Sequence, residues 1–368
     1  MQFSIDANTI KKLVSNVSGG LSKDKNSILS NYMVSIKDNT ISITSLNEVV
    51  QINTFSPIES EGDCEFLAKP DLFDRLKVLS GDIIFKLEDN ILTIKNGSYK
   101  TTTKIFQSEG YSVESIEDYK IAGVFDSNDI LELLKANIAS SKEEQQTREF
   151  NGVLIEIEQK KANFVATNRS RLFWISKPID NDISFYCIAE KDSVLQLSRI
   201  LKANDRVTLL YKIDGENITK IAFQSSNCTI VSKTINGKFP QYQAVTLEEA
   251  QNVQCIAFDK ESLKTALQKV LTLSNDELAV VEFNIQENNA QLNVTNKEGE
   301  IASDIIDFIS YNHTPIILTI NGRYVIDFLN NIQSNSVYFY YKEAIKPIEL
   351  KATSEHNVCY IYVMTPVR

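Results

Sequence analysis

The sequence predicts an α+β protein of three tandem copies of one domain, each with two helices and antiparallel sheets. Two observations carry this: three helix starts share one pattern, and a second helix follows each start at a nearly constant distance. The starts are FSIDANTIKKLVSNVSG, VFDSNDILELLKANIASS and IAFDKESLKTALQKVLTLSN. In each, an aromatic residue precedes an aspartate and an aliphatic residue follows it by four: Asp6 with Ile10, Asp126 with Ile130, Asp259 with Leu263. A carboxylate so placed accepts hydrogen bonds from the free N–H groups of a first turn, so the aspartates are expected to be N-caps.

The second helices are KPDLFDRLKVLS, KDSVLQLSRILK and GRYVIDFLNNI, which begin 65, 66 and 64 residues after the capping aspartates. Their apolar stripes are Leu72/Leu76/Leu79, Val194/Leu197/Leu201 and Val325/Phe328/Ile332. Helices are therefore expected over 7–17, 71–80, 127–138, 191–202, 260–272 and 322–332. Between the two helices of each copy lies an alternating stretch around a polar turn: YMVSIKDNTISITS, NGVLIEIEQKKANFVATN and VVEFNIQENNAQLNVTN, read as β-hairpins. More strands follow each second helix. A repeat of this size fits a domain. The expected domains are 1–120, 121–250 and 251–368, divided in the acidic segments SVESIEDYK and VTLEEAQN.

With 43% hydrophobic and 23% charged residues, the chain can build real cores. It shows neither eighteen uninterrupted apolar residues nor a basic-then-apolar start, so no membrane partner and a cytoplasmic address are expected. The five cysteines (Cys64, Cys187, Cys228, Cys255, Cys359) are scattered without a C-x-x-C pair, and His313 and His356 are the only histidines. They are read as buried thiols, with no metal and no cofactor. No nucleophile motif, phosphate loop or paired-carboxylate cluster stands out, which argues against an enzyme. The net charge of −10 argues against nucleic-acid binding unless the basic residues gather on one surface.

Four motifs then matter: Ala166-Thr167-Asn168-Arg169-Ser170-Arg171-Leu172, Ile235-Asn236-Gly237-Lys238-Phe239-Pro240-Gln241-Tyr242, Phe150-Asn151-Gly152-Val153, and the C-terminal Met364-Thr365-Pro366-Val367-Arg368. In order and with the threefold repeat, they resemble the bacterial sliding clamp family, the β subunits of the DNA polymerase III holoenzyme. Family patterns matched are A-T-D-G-H-R-L, V-[DE]-G-[RK]-F-P-D-Y, L-x-G-V and M-P-[MV]-R. Arg169-Ser170 stand where Gly-His is usual, Trp174 is larger than its usual counterpart, and no leucine follows Arg368. The resemblance implies a non-catalytic DNA sliding clamp: three clamp domains per chain, and two chains closing a ring that encircles duplex DNA without sequence specificity. Such a ring tethers the replicative polymerase and other replication and repair proteins, confers processivity, and is placed on DNA by a clamp loader.

Physics supports such a ring. Six helices with axes ~9 Å apart leave a bore of ~7 Å, too narrow for a duplex, whereas twelve leave ~24 Å. Two chains are the smallest solution. The six helical spans hold 12 Lys and Arg against 7 Asp and Glu, a charge of +5 that leaves −15 for the rest of the chain. Lys11, Lys12, Lys77, Lys135, Arg199, Lys202, Lys264 and Lys269 lie off or beside the apolar stripes and are expected to face DNA. The resemblance adds the loop residues Lys23 and Lys25, and Arg148 and Lys142 are similar expectations.

The resemblance also implies a hydrophobic pocket for partner peptides. Carried over by position, it comprises Phe150, Thr167, Arg171, Leu172, Pro240 and Val245, with Val363, Met364, Pro366, Val367 and Arg368 from the chain end. Arg171 and Arg368 are expected at its edge. At the ring seam, Lys95, Lys100 and Lys104 of domain 1 are expected to meet Glu298, Glu300 and Asp304 of domain 3, with Leu271 and Leu273 at the apolar centre.

Overall fold

Each first helix starts on its capping aspartate. Asp6 Oδ1 accepts from the backbone N–H of Asn8 (2.9 Å) and Thr9 (3.2 Å), Asp126 Oδ1 from that of Asn128 (2.8 Å), and Asp259 Oδ1 from that of Ser262 (2.8 Å). The computed structural model describes residues 1–141, 147–180, 183–247, 252–274 and 278–367; Lys142, Arg368 and the segment around 250 fall outside them. Its α-helices are α1 (Ala7–Val17), α2 (Pro70–Leu76), α3 (Ser127–Leu133), α4 (Lys191–Ile200), α5 (Lys260–Leu271) and α6 (Gly322–Asn331). Two are shorter than the apolar periodicity suggests. After Leu76 the chain tightens through Lys77 N–H to Asp74 O and Leu79 N–H to Leu76 O, so Leu79 is buried without a helix. Beyond Leu133 the chain winds as a 3₁₀ helix, Leu134–Ala139.

The chain forms two compact units, residues 1–131 with 189–235 and residues 132–188 with 236–368. The first holds a five-stranded antiparallel sheet in the order 59–61, 2–6, 82–88, 91–96, 99–104. It also holds an eight-stranded sheet, 120–126, 206–214, 217–224, 228–233, 50–57, 40–46, 32–37, 64–68. The second unit contains a nine-stranded sheet whose central strands are 161–167, 171–178, 359–364 and 348–353, and a four-stranded one, 301–307, 289–295, 280–285, 316–321.

The large sheets share one construction. The strand after the hairpin of the first repeat, Val50–Pro57, pairs with Cys228–Lys233, which ends the second repeat; Arg171–Pro178 pairs in the same way with Cys359–Met364, which ends the third. The turn leading into each of these strands is closed by an asparagine. Asn47 Oδ1 accepts from Val49 N–H (2.9 Å) and Val50 N–H (3.0 Å), and Asn168 Oδ1 from Ser170 N–H (3.2 Å) and Arg171 N–H (3.0 Å). Asn296 does the same for Glu298 and Glu300 in the third repeat. An asparagine side chain replaces a backbone acceptor in such turns, which is why it recurs.

Helices cover one face of each sheet. In the second unit α5 buries Leu263, Ala266, Leu267 and Val270 over the four-stranded sheet. The glycine opening α6 permits close packing, since a Cβ on Gly322 would stand 2.5 Å from Val281 and 3.2 Å from Leu271. The Ser262 backbone N–H and hydroxyl hold the Asp259 carboxyl below the usual aspartate range. Its contribution to stability is therefore present above about pH 4 and lost as pH falls through the lowered value. Asp259→Ala should cost about 1 kcal/mol in urea unfolding at pH 7 and flatten the decline in stability below pH 4; an unchanged acid limb would count against the cap.

Candidate functional site

In the second unit the expected pocket residues lie on both faces of one sheet. Side chains alternate along a strand, and cross-strand partners share a face. Thr167 pairs with Leu172, and Leu172 with Val363, so these three buried residues form a row on one face. Trp174 and Ile361 continue it. The segment 239–247 lies against that face: the Tyr242 ring meets Trp174 edge-on at 4.9 Å, and the Leu247 N–H donates to Glu349 (2.8 Å). Burial, and then the Glu156 carboxylate that it bonds, push the Tyr242 hydroxyl pKa up. Pro240 and Val245 of this segment are exposed, and Pro366 and Val367 are half-buried. Buried apolar side chains thus lie next to the segment 239–247, whose Pro240 and Val245 are exposed.

Arg171 and Met364 belong to the opposite face. They pair across the strands, and Met364 is 1% exposed. The Arg171 guanidinium donates to Asp327 of α6 (2.6 Å), to the Tyr362 hydroxyl (3.1 Å) and to the Ile138 carbonyl at the end of the 3₁₀ turn (2.7 Å). It also lies 4.3 Å from the Tyr324 ring centroid. Arg171 therefore ties α6 and the 3₁₀ turn to the sheet, on the face opposite the Thr167, Leu172 and Val363 row and not at its edge. Sequence position alone does not reveal this, because the strand parity that turns Arg171 inward depends on the register.

The turn Arg148–Asn151 lies against Gly237, two residues before that segment, since a Cβ on Gly237 would meet the Glu149 carboxyl at 2.3 Å. Phe150 in that turn is buried, and the Arg169 guanidinium carbon lies 5.2 Å from its ring centroid. Arg169 has φ +72°, the left-handed region that favours glycine. The asparagine turn imposes this geometry, at roughly 1 kcal/mol for a residue with a Cβ.

The expected DNA-facing cations divide in two. Some are engaged locally: Lys11 with the Leu79 carbonyl (2.7 Å), Lys77 with Asp74 (2.7 Å), Lys135 with Glu132 (2.7 Å) and Lys269 with Asp304 (3.0 Å). Lys12, Lys23, Lys25, Arg148, Arg199 and Lys202 are exposed, and Lys264 is half-buried. Within the first unit the Lys12 amine presses on Lys202 and, with partial burial, lowers the Lys202 pKa below the lysine range. Two like charges held together favour an anion between them.

The expected seam also changes. Lys95, Lys100 and Lys104 are on the solvent face of their sheet, beside exposed Ile84 and Ile91. Asp304 shares the helix face with buried Leu292 and is bound by Lys269, so it is not available to those lysines. Ile301, Ser303, Ile305 and Asp307 are the solvent-face residues of strand 301–307, a set that charge counting alone overlooked. Glu298 and Glu300 sit in the exposed turn before it, and Leu271 and Leu273 are half-buried.

Residues 126–241 match the family described as DNA polymerase III beta subunit, central domain, and residues 248–367 match its C-terminal domain. The chain belongs to the DNA polymerase III beta subunit family. The beta sliding clamp of Haemophilus influenzae is 26% identical over 376 residues, covering 100% of both chains, and that of Buchnera aphidicola from Acyrthosiphon pisum is 25% identical, covering 99% of both. The crystal structure of the DNA polymerase III subunit beta from Pseudomonas aeruginosa superposes with a TM-score of 0.89 at 20% identity, covering 100% of each chain. The function is that of a DNA sliding clamp, a processivity factor and not a catalyst.

Replacing Arg171 by lysine keeps the charge but loses the planar fork that serves three acceptors at once. Arg171→Lys should lower stability by about 2 kcal/mol in thermal or urea unfolding, and Asp327→Asn should cost less because Asp327 is half-exposed. Equal, negligible losses would show that the network contributes little.

Proposed function

We propose that two copies close into a ring that encircles duplex DNA, holds it through water-separated lysines without reading sequence, and tethers the replicative polymerase and other partners by a short apolar peptide segment. The observation that carries the ring is the repeated strand pairing. Each strand that follows a hairpin pairs with the strand ending the next repeat, in both large sheets. By the same rule strand Ile301–Asp307 of the third repeat would pair with Tyr99–Lys104 of the first, and both are edge strands. A partner copy supplies what the chain lacks. Two copies joined head to tail leave neither edge open, which is closure with twofold symmetry.

Faces of paired sheets stay continuous, so Lys100 and Lys104 would lie beside Ile301, Ile305 and Asp307. Ile301 and Ile305 are 70% and 61% exposed, an unusual placement unless something covers them. Lysine stems would lie on the isoleucines while the ammonium groups reach Asp307. Glu298 and Glu300 would enlarge the acidic side, and Leu271 and Leu273 would border the apolar strip.

DNA would be met by Lys12, Lys202, Arg199, Lys23, Lys25 and Lys264. Contacts of this kind are weak and salt-dependent, which permits sliding. Partner peptides would dock along Thr167, Leu172, Val363, Pro240 and Val245, with Phe150, Pro366 and Val367 beside them. The domains proposed are 1–120, 121–250 and 251–368, and a clamp loader would open the ring. None of the helices among the described residues is long and apolar enough to cross a membrane; a cytoplasmic, nucleoid-associated location is proposed with the function.

A ring loaded by its loader and ATP on nicked circular DNA should remain through a gel-filtration column at roughly 0.5–1 M salt, which screens lysine contacts, and should be lost once the circle is cut. Retention on the linear DNA would sink the topological mechanism. At the seam, Lys100→Glu with Lys104→Glu should weaken the dimer about tenfold in sedimentation velocity, and adding Asp307→Lys should recover part of the loss. A dimer indifferent to all three changes would place the interface elsewhere.

A further inference from the structure

Arg169 is the residue of the docking face whose geometry is least explained by folding. Its backbone is held left-handed by the turn in which Thr167 Oγ1 accepts from Arg169 N–H (3.2 Å) and Asn168 Oδ1 accepts from the two residues that follow. The side chain then crosses to the Arg148–Asn151 turn, where it covers the Phe150 ring and donates to the Thr147 hydroxyl (2.6 Å). Phe150 is itself fixed, since its N–H donates to the Thr147 carbonyl (3.1 Å) and its carbonyl accepts from Ser141 N–H (2.8 Å). Among the described residues no carboxylate pairs with Arg169. A guanidinium has five N–H donors in a planar fork, and Thr147 takes one. Arg169 is exposed, so the others are open to solvent.

We propose that Arg169 is a specificity-determining cover over Phe150, which selects docking peptides that carry a carboxylate next to their apolar anchor. This rests on the docking role proposed above. In the free protein the guanidinium occupies the ring face. An anchor that is to reach Phe150 must displace it, and a neutral peptide gives nothing back for the lost ring and hydroxyl contacts. A carboxylate offers two acceptor oxygens to the fork, and that charge-assisted pair compensates for the displacement. The net effect is a filter: apolar anchors without an acid are rejected, and anchors with one are retained. Arg171 cannot serve instead, because its guanidinium is held on the opposite face of the sheet by Asp327, Tyr362 and the Ile138 carbonyl.

The test measures fluorescence anisotropy with the full-length protein and three labelled peptides sharing one aliphatic-aromatic anchor. Two have blocked ends and differ only by aspartate or asparagine beside the anchor, and the third is the asparagine peptide with a free C-terminal carboxylate. The wild-type protein should bind the aspartate peptide about five- to tenfold tighter than its asparagine twin. In Arg169→Gly, which suits the left-handed backbone, that ratio should fall below about twofold and the asparagine peptide should bind tighter than it does to wild type. Arg169→Lys, with a point charge in place of the fork, should give an intermediate ratio. A gain confined to the third peptide would still support carboxylate selection and would assign it to a chain end. If neither the aspartate peptide nor the free-carboxylate peptide loses its advantage over the blocked asparagine peptide in Arg169→Gly, or if neither has one in wild type, the proposal is overturned while docking stands. If none of the three peptides binds either protein, the docking role itself fails.

Discussion

Open strand edges are the constraint on which this molecule depends. A strand with one unpaired side carries a row of N–H and C=O groups that water must satisfy or another strand must take up. Within the first unit, Val50–Pro57 takes up the edge of Cys228–Lys233; within the second, Arg171–Pro178 takes up that of Cys359–Met364. Each pairing merges parts of two repeats into one continuous sheet, so the repeats are not beads on a string. The same requirement, applied to the edge strands Tyr99–Lys104 and Ile301–Asp307, is what turns a tandem repeat into a candidate ring.

The merged sheet of the second unit has two sides with different work. The helix side is committed to cohesion: Arg171 gathers Asp327, Tyr362 and the Ile138 carbonyl, and Phe173, Phe328 and Tyr362 pack ring against ring at 5.2–5.7 Å. Glu132 is held nearby by Lys135, Gln333 and the Tyr360 hydroxyl. Burial, and then the Glu132 carboxylate, push the Tyr360 pKa up, so that hydroxyl stays a donor. The other side carries Thr167, Leu172 and Val363 with Trp174 and the 239–247 segment. Packing on the helix side holds in place the strands that carry the outer row, as the proposed docking would require.

Charge is divided by a similar logic. The chain is acidic as a whole, yet its helical segments are net basic. Lysines beside a carboxylate one helical turn away, Lys77 with Asp74 and Lys135 with Glu132, are largely neutralised at short range. Lys12 and Lys202 are not neutralised in that way. They belong to different repeats, and only their meeting in space shows that they form a pair, with the Asp205 carboxylate acting on Lys202 from nearby.

The sequence by itself determined the threefold repeat, the capped helices and the family, because caps, apolar stripes and hairpin turns are local signals that depend on residues a few positions apart. Asp6, Asp126 and Asp259 were legible as caps for that reason, and the motifs drew attention to Leu172 and Val363, which the register sets opposite each other. Tertiary structure alone decided which face each strand residue occupies. It turned Arg171 and Met364 to the helix side, joined Lys269 to Asp304, left Asp307 on the solvent side of its edge and laid Arg169 over Phe150. The physical reason is register: a strand's side chains alternate with period two, so the role of each depends on which residue of a distant strand stands opposite it.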